Sequence, residues 1–304
     1  MGYVKIKARI ILILGKRCAM DIRPSPIAGR WYPGESKRLA ESVDRYVDAA
    51  HVPEIDGEVV GIIVPHAGHT YSGPVAGYAF KAIRELHPDL VAVISPMHQP
   101  YSHAFLTSAH QAYQTPLGTI SIDHEAVSAL SDALEEELGF GLTPVRNDKE
   151  HSLEIELPFL QRVLAGEFNL LPVMVREQNP MVVEALGRSL AKTLQARSAL
   201  LVASSDLSHF YDQLQAEQLD AEMLERVAAF DPQGVLQAEE EGKGFACGRN
   251  AIAAVLWAAK EMGANYVKVL NHATSGDVTG DYSGVVGYGA AIITRTKVEE
   301  ISNK

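Results

Sequence analysis

The sequence predicts an α/β fold: a single domain with a mostly parallel central sheet covered by helices. Two observations carry this. Short apolar runs, "VVGIIV" at 59–64, "DLVAVIS" at 89–95 and "ALLVASS" at 199–205, lack the polar alternation of a strand with one wet face. Between them lie stretches with helical apolar spacing, long enough to cover a sheet. Of the 304 residues, 47% are hydrophobic and 21% charged, enough for a sizeable core.

The elements follow in order. Leu39, Val43, Tyr46, Val47 and Ala50 recur at helix spacing and predict a helix over 36–50. A strand at 59–65 precedes a helix from Gly73 to Leu86, and a second strand spans 89–95. Residues 104–122 read as two shorter strands around "YQTPLG". Then come helices at 123–138 and 151–164, the latter kinked at Pro158, a strand at 169–175, a helix at 180–195 and a strand at 199–205. Helices at 213–229, 231–240 and 247–262 lead to strands at 265–271 and 285–294. The glycines of "SGVVGYGAAII" are too irregular for a phosphate loop and suit close strand packing.

At the N-terminus, the apolar part of "KIKARIILILGKRCAM" is only Ile10 to Leu14, short for a secretion signal. "MDIRPSPIAGRWYPG" from Met20 reads as a natural start. Residues 1–19 are therefore expected to be an extension, poorly ordered or from a misassigned start, 20–296 the domain and 297–304 a tail. The formal charge of −11 argues against nucleic-acid binding, and no apolar stretch is long enough to span a bilayer. Two cysteines, Cys18 and Cys247, exclude a disulfide framework and point to a reducing, cytoplasmic setting.

Histidines follow three of the apolar strands: His66 in "PHAGHTYSG", His98 in "PMHQPYSH" and His209 in "SSDLSH". Ligands gather beyond the carboxyl ends of parallel strands, so these loops are expected to converge. One loop histidine means little; three at equivalent ends raise the odds of function. Cys247, in "GFACGRNAI", stands where a turn meets a helix, a position that favours thiolate, with Arg249 beside it to add to the effect. The alternative is a small buried hydrophobe. His66, His98 and Cys247 would form an N,N,S set suited to iron, copper or zinc, with a position left open.

Asp206, three residues before His209, is a candidate to orient it as a general base; the alternative is a helix cap beside an exposed histidine. Ser204 and Ser205 lack the Gly-x-Ser-x-Gly elbow of a serine hydrolase. In "DKEHSLEIELPFL", His151 and Glu154 are one helical turn apart, and His151 is a pocket candidate. Trp31 in "AGRWYPG", Tyr71 and Arg249 complete the substrate-binding candidates, while His69, His103 and His110 read as ordinary packed or solvated histidines.

Taken together, "SPIAGRWYPG", "VPHAGHTYSGPVAGYAF", "ISPMHQP", "EHSLEIELPFL", "SSDLSHF" and "ACGRN" resemble the Memo family in order and separation, over essentially 20–295. The resemblance implies a fold related to the class III, LigB-like extradiol dioxygenases. In those enzymes two histidines and a carboxylate hold non-haem iron, and a further histidine is the acid/base. In Memo proteins a cysteine replaces the carboxylate; the matching positions here are His66, His98, Cys247 and, for the acid/base, His209. The resemblance also implies a redox-active metal, phosphotyrosine-peptide binding in animal relatives, and AMMECR-type and radical-SAM partners in the AmmeMemoRadiSam grouping.

Three functions are therefore expected to compete. The first is a metal-dependent oxidoreductase using iron or copper on a small substrate. The second is a binding module that grips an anionic peptide or small acid through Trp31, His66, His209 and Arg249. The third is a zinc hydrolase.

Overall fold

Strands with no polar alternation are buried on both faces, and that is what the fold does with them. The computed structural model describes residues 20–296; the expectations for 1–19 and 297–304 lie outside the described residues. Along the chain run β1 (Ile22–Arg23), α1 (Ser36–Ala49), β2 (Glu58–Val64), α2 (His69–Ala82), β3 (Leu90–Pro96), β4 (Phe105–Ser108), β5 (Ala112–Thr115) and β6 (Gly118–Ser121). There follow α3 (His124–Leu138), β7 (Thr143–Val145), a 3-10 turn (Glu154–Glu156), α4 (Leu157–Val163), β8 (Asn169–Val175), α5 (Pro180–Leu194), β9 (Ala199–Ser204) and β10 (His209–Tyr211). The chain closes with α6 (Gln213–Ala228), α7 (Pro232–Glu240), α8 (Arg249–Glu261), β11 (Tyr266–Thr274), α9 (Gly276–Thr279) and β12 (Val285–Arg295).

The main sheet has the order β10-β12-β2-β9-β3-β8-β4-β7, with β11 also on β12. Its centre, β2-β9-β3-β8, is parallel throughout. Alternate side chains of these strands feed two cores. Ile63, Ala92, Ile94 and Leu201 face α3, α5 and α6 to α8. Ile62, Val64, Val91 and Val93 face α1, α2 and α4. Register then places the site: Val64 pairs with Ser204, Ile94 with Ala203 and Pro96 with Val175, so four strands end at one level.

Three elements differ from the sequence reading. Helix α2 starts at His69, not Gly73, and carries Pro74 inside it as its sixth residue. Gly77 lets it approach α1: a Cβ there would lie 2.5 Å from the Tyr46 carbonyl oxygen. Residues 151–164 are not one kinked helix but a 3-10 turn followed by α4, with Pro158 in the first turn of α4. Residues 104–122 hold three strands: β4 joins the main sheet, while β5 and β6 form a hairpin beside β1 in a separate small sheet. The sequence reading also passes over β1, β7, β10 and α9. Among the described residues no helix is long and apolar enough to cross a membrane.

Strand β1 carries Arg23 inward, where it is 1% exposed. Its Nε and Nη2 bond both oxygens of Asp148 at 3.0 and 2.7 Å, Nη2 reaches the Glu150 carbonyl at 2.8 Å, and Nη1 meets Glu154 Oε2 at 2.5 Å. Tyr113 lies under the guanidinium, 4.8 Å from ring centre to Cζ. The fork geometry of arginine suits this set, and lysine cannot reproduce it. Removing one partner of a buried ionic cluster leaves the others uncompensated. Arg23→Met should cost about 3–5 kcal/mol of unfolding free energy in urea titration; a cost under ~1 kcal/mol would show that the cluster is not holding the fold.

Candidate metal site

His66 follows β2 directly, and its place is set by two partners. Its backbone N–H donates to Asp206 Oδ1 at 2.7 Å, beside that of Ala67 at 3.2 Å. Its ring Nδ1 lies 2.9 Å from Ser204 Oγ at the end of β9. That leaves Nε2 directed at Cys247 Sγ, 3.1 Å away. Burial, and then the neighbouring His151 and His98, push its pKa well below the usual imidazole value, so the ring is neutral.

His98 follows β3 and is held by Glu150, which accepts its backbone N–H at 2.6 Å and its Nδ1–H at 2.9 Å. Glu150 also takes the N–H groups of His151 (2.8 Å) and Ser152 (3.0 Å). Burial works against the charge of Glu150, but the hydrogen bond from His98, with the His98 and His151 rings beside it, outweighs burial and holds the carboxyl far below its ordinary range. An ionised Glu150 makes His98 Nδ1 a donor, so the lone pair of His98 is on Nε2.

Cys247 reaches the same point from the turn before α8. The donor atoms of His66, His98 and Cys247 all lie within 4.8 Å of one another. The expectation of a lowered thiol pKa is reversed: burial, and then the nearby Asp206, push the Cys247 thiol up. Arg249 does not offset this, because its guanidinium pairs with Glu239 and donates to Gln178 Oε1 at 2.7 Å.

The remaining candidates divide. His151 stacks on His98 with ring centres 4.8 Å apart, and Trp31 lies on His151 at 4.1 Å, so both wall the site. His209, on β10, keeps Nδ1 on the Leu207 carbonyl at 2.7 Å and is bracketed by Phe210 and Phe245. Burial lowers its pKa, and His98 adds to the effect. Asp206 does not orient His209: its Oδ1 is on the backbone of the His66 loop, and its Oδ2 is 4.0 Å from His66 Nε2. Burial pushes the Asp206 carboxyl up to about 7. Tyr71 stands in the first turn of α2 and is 43% exposed.

His151 and Glu154 do not share a helical face, because the segment between them is the approach to the 3-10 turn. His151 faces the site, while Glu154 faces Arg23 and also accepts from the Tyr32 hydroxyl at 2.7 Å. His98, Glu150 and His151 form a second cluster with ligand atoms within 4.8 Å. Glu150 already accepts four N–H groups, so this cluster is a hydrogen-bond network rather than an ion site. A cleft of about 470 Å³ opens at the opposite, amino end of the strands, but its arginines are paired, Arg197 with Asp123 and Arg295 with Glu58.

Sequence reasoning missed Glu150, Ser152, Ser204 and Arg23 as supports of the site. The signal was present in "EHSLEIELPFL": three acids inside an otherwise apolar stretch, where burial is expected only for paired or bonded carboxyls.

The fold and this donor set define a class: an α/β protein with an N,N,S centre at the carboxyl ends of its strands. A family profile described as "Memo-like protein" matches residues 23–292. A MEMO1 family protein of Nitrosopumilus maritimus is 33% identical over 273 residues, 88% of this chain and 98% of that protein. One from Methanopyrus kandleri is 32% identical over 286 residues, 90% of this chain and 99% of its own. The crystal structure of an uncharacterized protein from Escherichia coli K12 has 12% identity and a TM-score of 0.46, over 77% of this chain and all of that one. The chain belongs to the Memo family.

His69, close to the site in sequence, is a packed core histidine. Its Nε2 meets the Ile155 carbonyl at 3.0 Å, its Nδ1 is buried without a partner, and burial lowers its pKa from 6.5 to about 4. A histidine with a depressed folded pKa adds stability above its unfolded pKa, and that stability is lost as pH falls through the folded value. Between pH 6.5 and 4 the loss from this ring is about 3 kcal/mol. His69→Leu should therefore flatten the decline in unfolding free energy over that window; a slope equal to wild type would contradict the assignment.

Proposed function

We propose that this chain binds a redox-active ion, iron or copper, through His66 Nε2, His98 Nε2 and Cys247 Sγ, and acts as an oxidoreductase on a small substrate. The observation that carries the reading is the donor geometry. Two imidazoles present lone pairs, each with Nδ1 tied to a partner from another element, and a sulfur meets them within 4.8 Å. Metal-binding histidines in general have their second nitrogen fixed in this way. Two nitrogens and a thiolate suit copper, iron or zinc better than magnesium or calcium. Bound there, iron or copper would supply one-electron chemistry and an open position for a ligand.

The protein's own groups supply the rest. His209 donates Nδ1–H to the Leu207 carbonyl and is neutral, so its Nε2 is free to take a proton from a substrate. Asp206, with a carboxyl near neutrality, is a second site for a proton beside His66. Trp31 and His151 offer an aromatic wall on one side. The binding-module reading has less support, because Arg249, its cation, is engaged by Glu239. A zinc hydrolase would use the same ligands. Partnership with AMMECR-type and radical-SAM proteins, and a cytoplasmic setting, belong to this same proposal.

Protein purified without a chelating column should carry stoichiometric iron or copper, measured by elemental analysis. His98→Ala and Cys247→Ser should each remove it, and Glu150→Gln should weaken binding about 10–100-fold. Unchanged metal content in both ligand variants would end the proposal. Zinc alone would move it to hydrolysis, and tight binding of a phosphorylated peptide or small acid to metal-free protein would favour the binding module.

A further inference from the structure

Glu156 ends the 3-10 turn that leads into α4. It is 1% exposed and, among the described residues, has no cation as a hydrogen-bond partner. A buried carboxyl so placed must be either neutral or costly. Its one polar contact decides which. Ser204 Oγ lies 2.6 Å from the Ser152 carbonyl, 2.8 Å from Glu156 Oε1 and 2.9 Å from His66 Nδ1. A hydroxyl has one proton to give and two lone pairs to receive. The Ser152 carbonyl only accepts, and it is the nearest of the three. The Ser204 proton therefore belongs to it, and the other two neighbours meet Oγ on its lone pairs. Both must be donors.

We propose that Glu156 is a neutral carboxylic acid that donates its proton to Ser204 Oγ, locks that hydroxyl onto the Ser152 carbonyl, and so fixes His66 as the Nδ1–H tautomer. The His66 lone pair is then confined to Nε2, on the side of Cys247 and His98. Were Glu156 ionised, two acceptors would compete for one hydroxyl proton, and the loser would face Oγ lone pair to lone pair. Burial, the dominant influence on Glu156, acts in the same direction and favours the protonated acid. Glu156 and Ser204 are thus positioning residues, acting on the site through His66 without touching an ion.

The consequence for metal affinity rests on the metal-site reading above; the protonation and the tautomer do not. They can be read in metal-free protein. Infrared difference spectra at neutral pH should show the C=O stretch of a protonated carboxyl that Glu156→Gln removes, and nitrogen NMR should show His66 protonated at Nδ1. Either no such band or a His66 Nε2–H signal would overturn the proposal. Glu156→Gln keeps a donor to Ser204 and should retain wild-type metal affinity. Ser204→Ala removes the acceptor and should weaken affinity about 10–100-fold while giving His66 an Nε2–H population. Glu156→Gln weakening affinity as much as Ser204→Ala would refute the neutral acid. Wild-type protein that binds no iron, copper or zinc would sink the metal reading while the spectra still decide this one.

Discussion

The site's geometry depends on the buried contact between Arg23 and the segment from Asp148 to Glu156. That segment has little regular structure of its own, yet it supports both histidines. Glu150 holds His98, while the Ser152 carbonyl and Glu156 hold Ser204, which in turn holds His66. Arg23 grips the same segment at Asp148, at the Glu150 carbonyl and at Glu154. A loop with no ladder to fix it needs such a grip if side chains on it are to hold angles. Burying a guanidinium with two carboxylates is a poor route to stability compared with apolar packing. Its use here is orientation: one planar fork sets the directions of several groups from a strand of only two residues.

The second constraint is the close approach of α8. Parallel register brings the β2, β3 and β9 ends level, which delivers two histidines and Ser204 but no sulfur. Cys247 arrives from another layer, and Gly248 is what lets it. A Cβ at position 248 would lie 2.5 Å from the Ser204 carbonyl oxygen and 2.8 Å from the Ser205 Cβ. The Gly248 N–H donates to Ser205 Oγ at 2.9 Å. Thus "ACGRN" works as a unit in which the glycine docks the turn and the cysteine reaches over it.

How much of this was legible in the sequence follows from the range of each interaction. Buried strands announce themselves locally, and β2, β3, β8 and β9 lie close to where apolar runs place them. The convergence of His66 and His98 follows from strand order alone. The break at 151–157 does not, because the helical spacing of "EHSLEIELPFL" comes from acids turned inward to Arg23 and Ser204, partners more than 45 residues away. The partner of Asp206 was misread for a similar reason: His209 is near in sequence, but the bond goes to the backbone at 66, a separation of 140 residues. The thiol of Cys247 was misjudged because a helix terminus is visible in sequence and desolvation is not.

Burial governs how the site handles charge. Burial drives His66 and His209 toward the neutral form, pushes the Cys247 thiol up and raises Asp206 to near neutrality. Each shift has the same first cause, the removal of water. Such loss of water penalises any lone charge, including the thiolate that a soft metal needs. A cation entering the site changes the sign of the argument, because ion and thiolate then offset each other where neither is well solvated alone. On the proposed metal reading, binding would release the thiol proton. The Asp206 backbone carbonyl lies 3.6 Å from the sulfur, and burial raises the pKa of its carboxyl to about 7. On that same reading, the desolvation that suppresses the thiolate would favour its pairing with a cation.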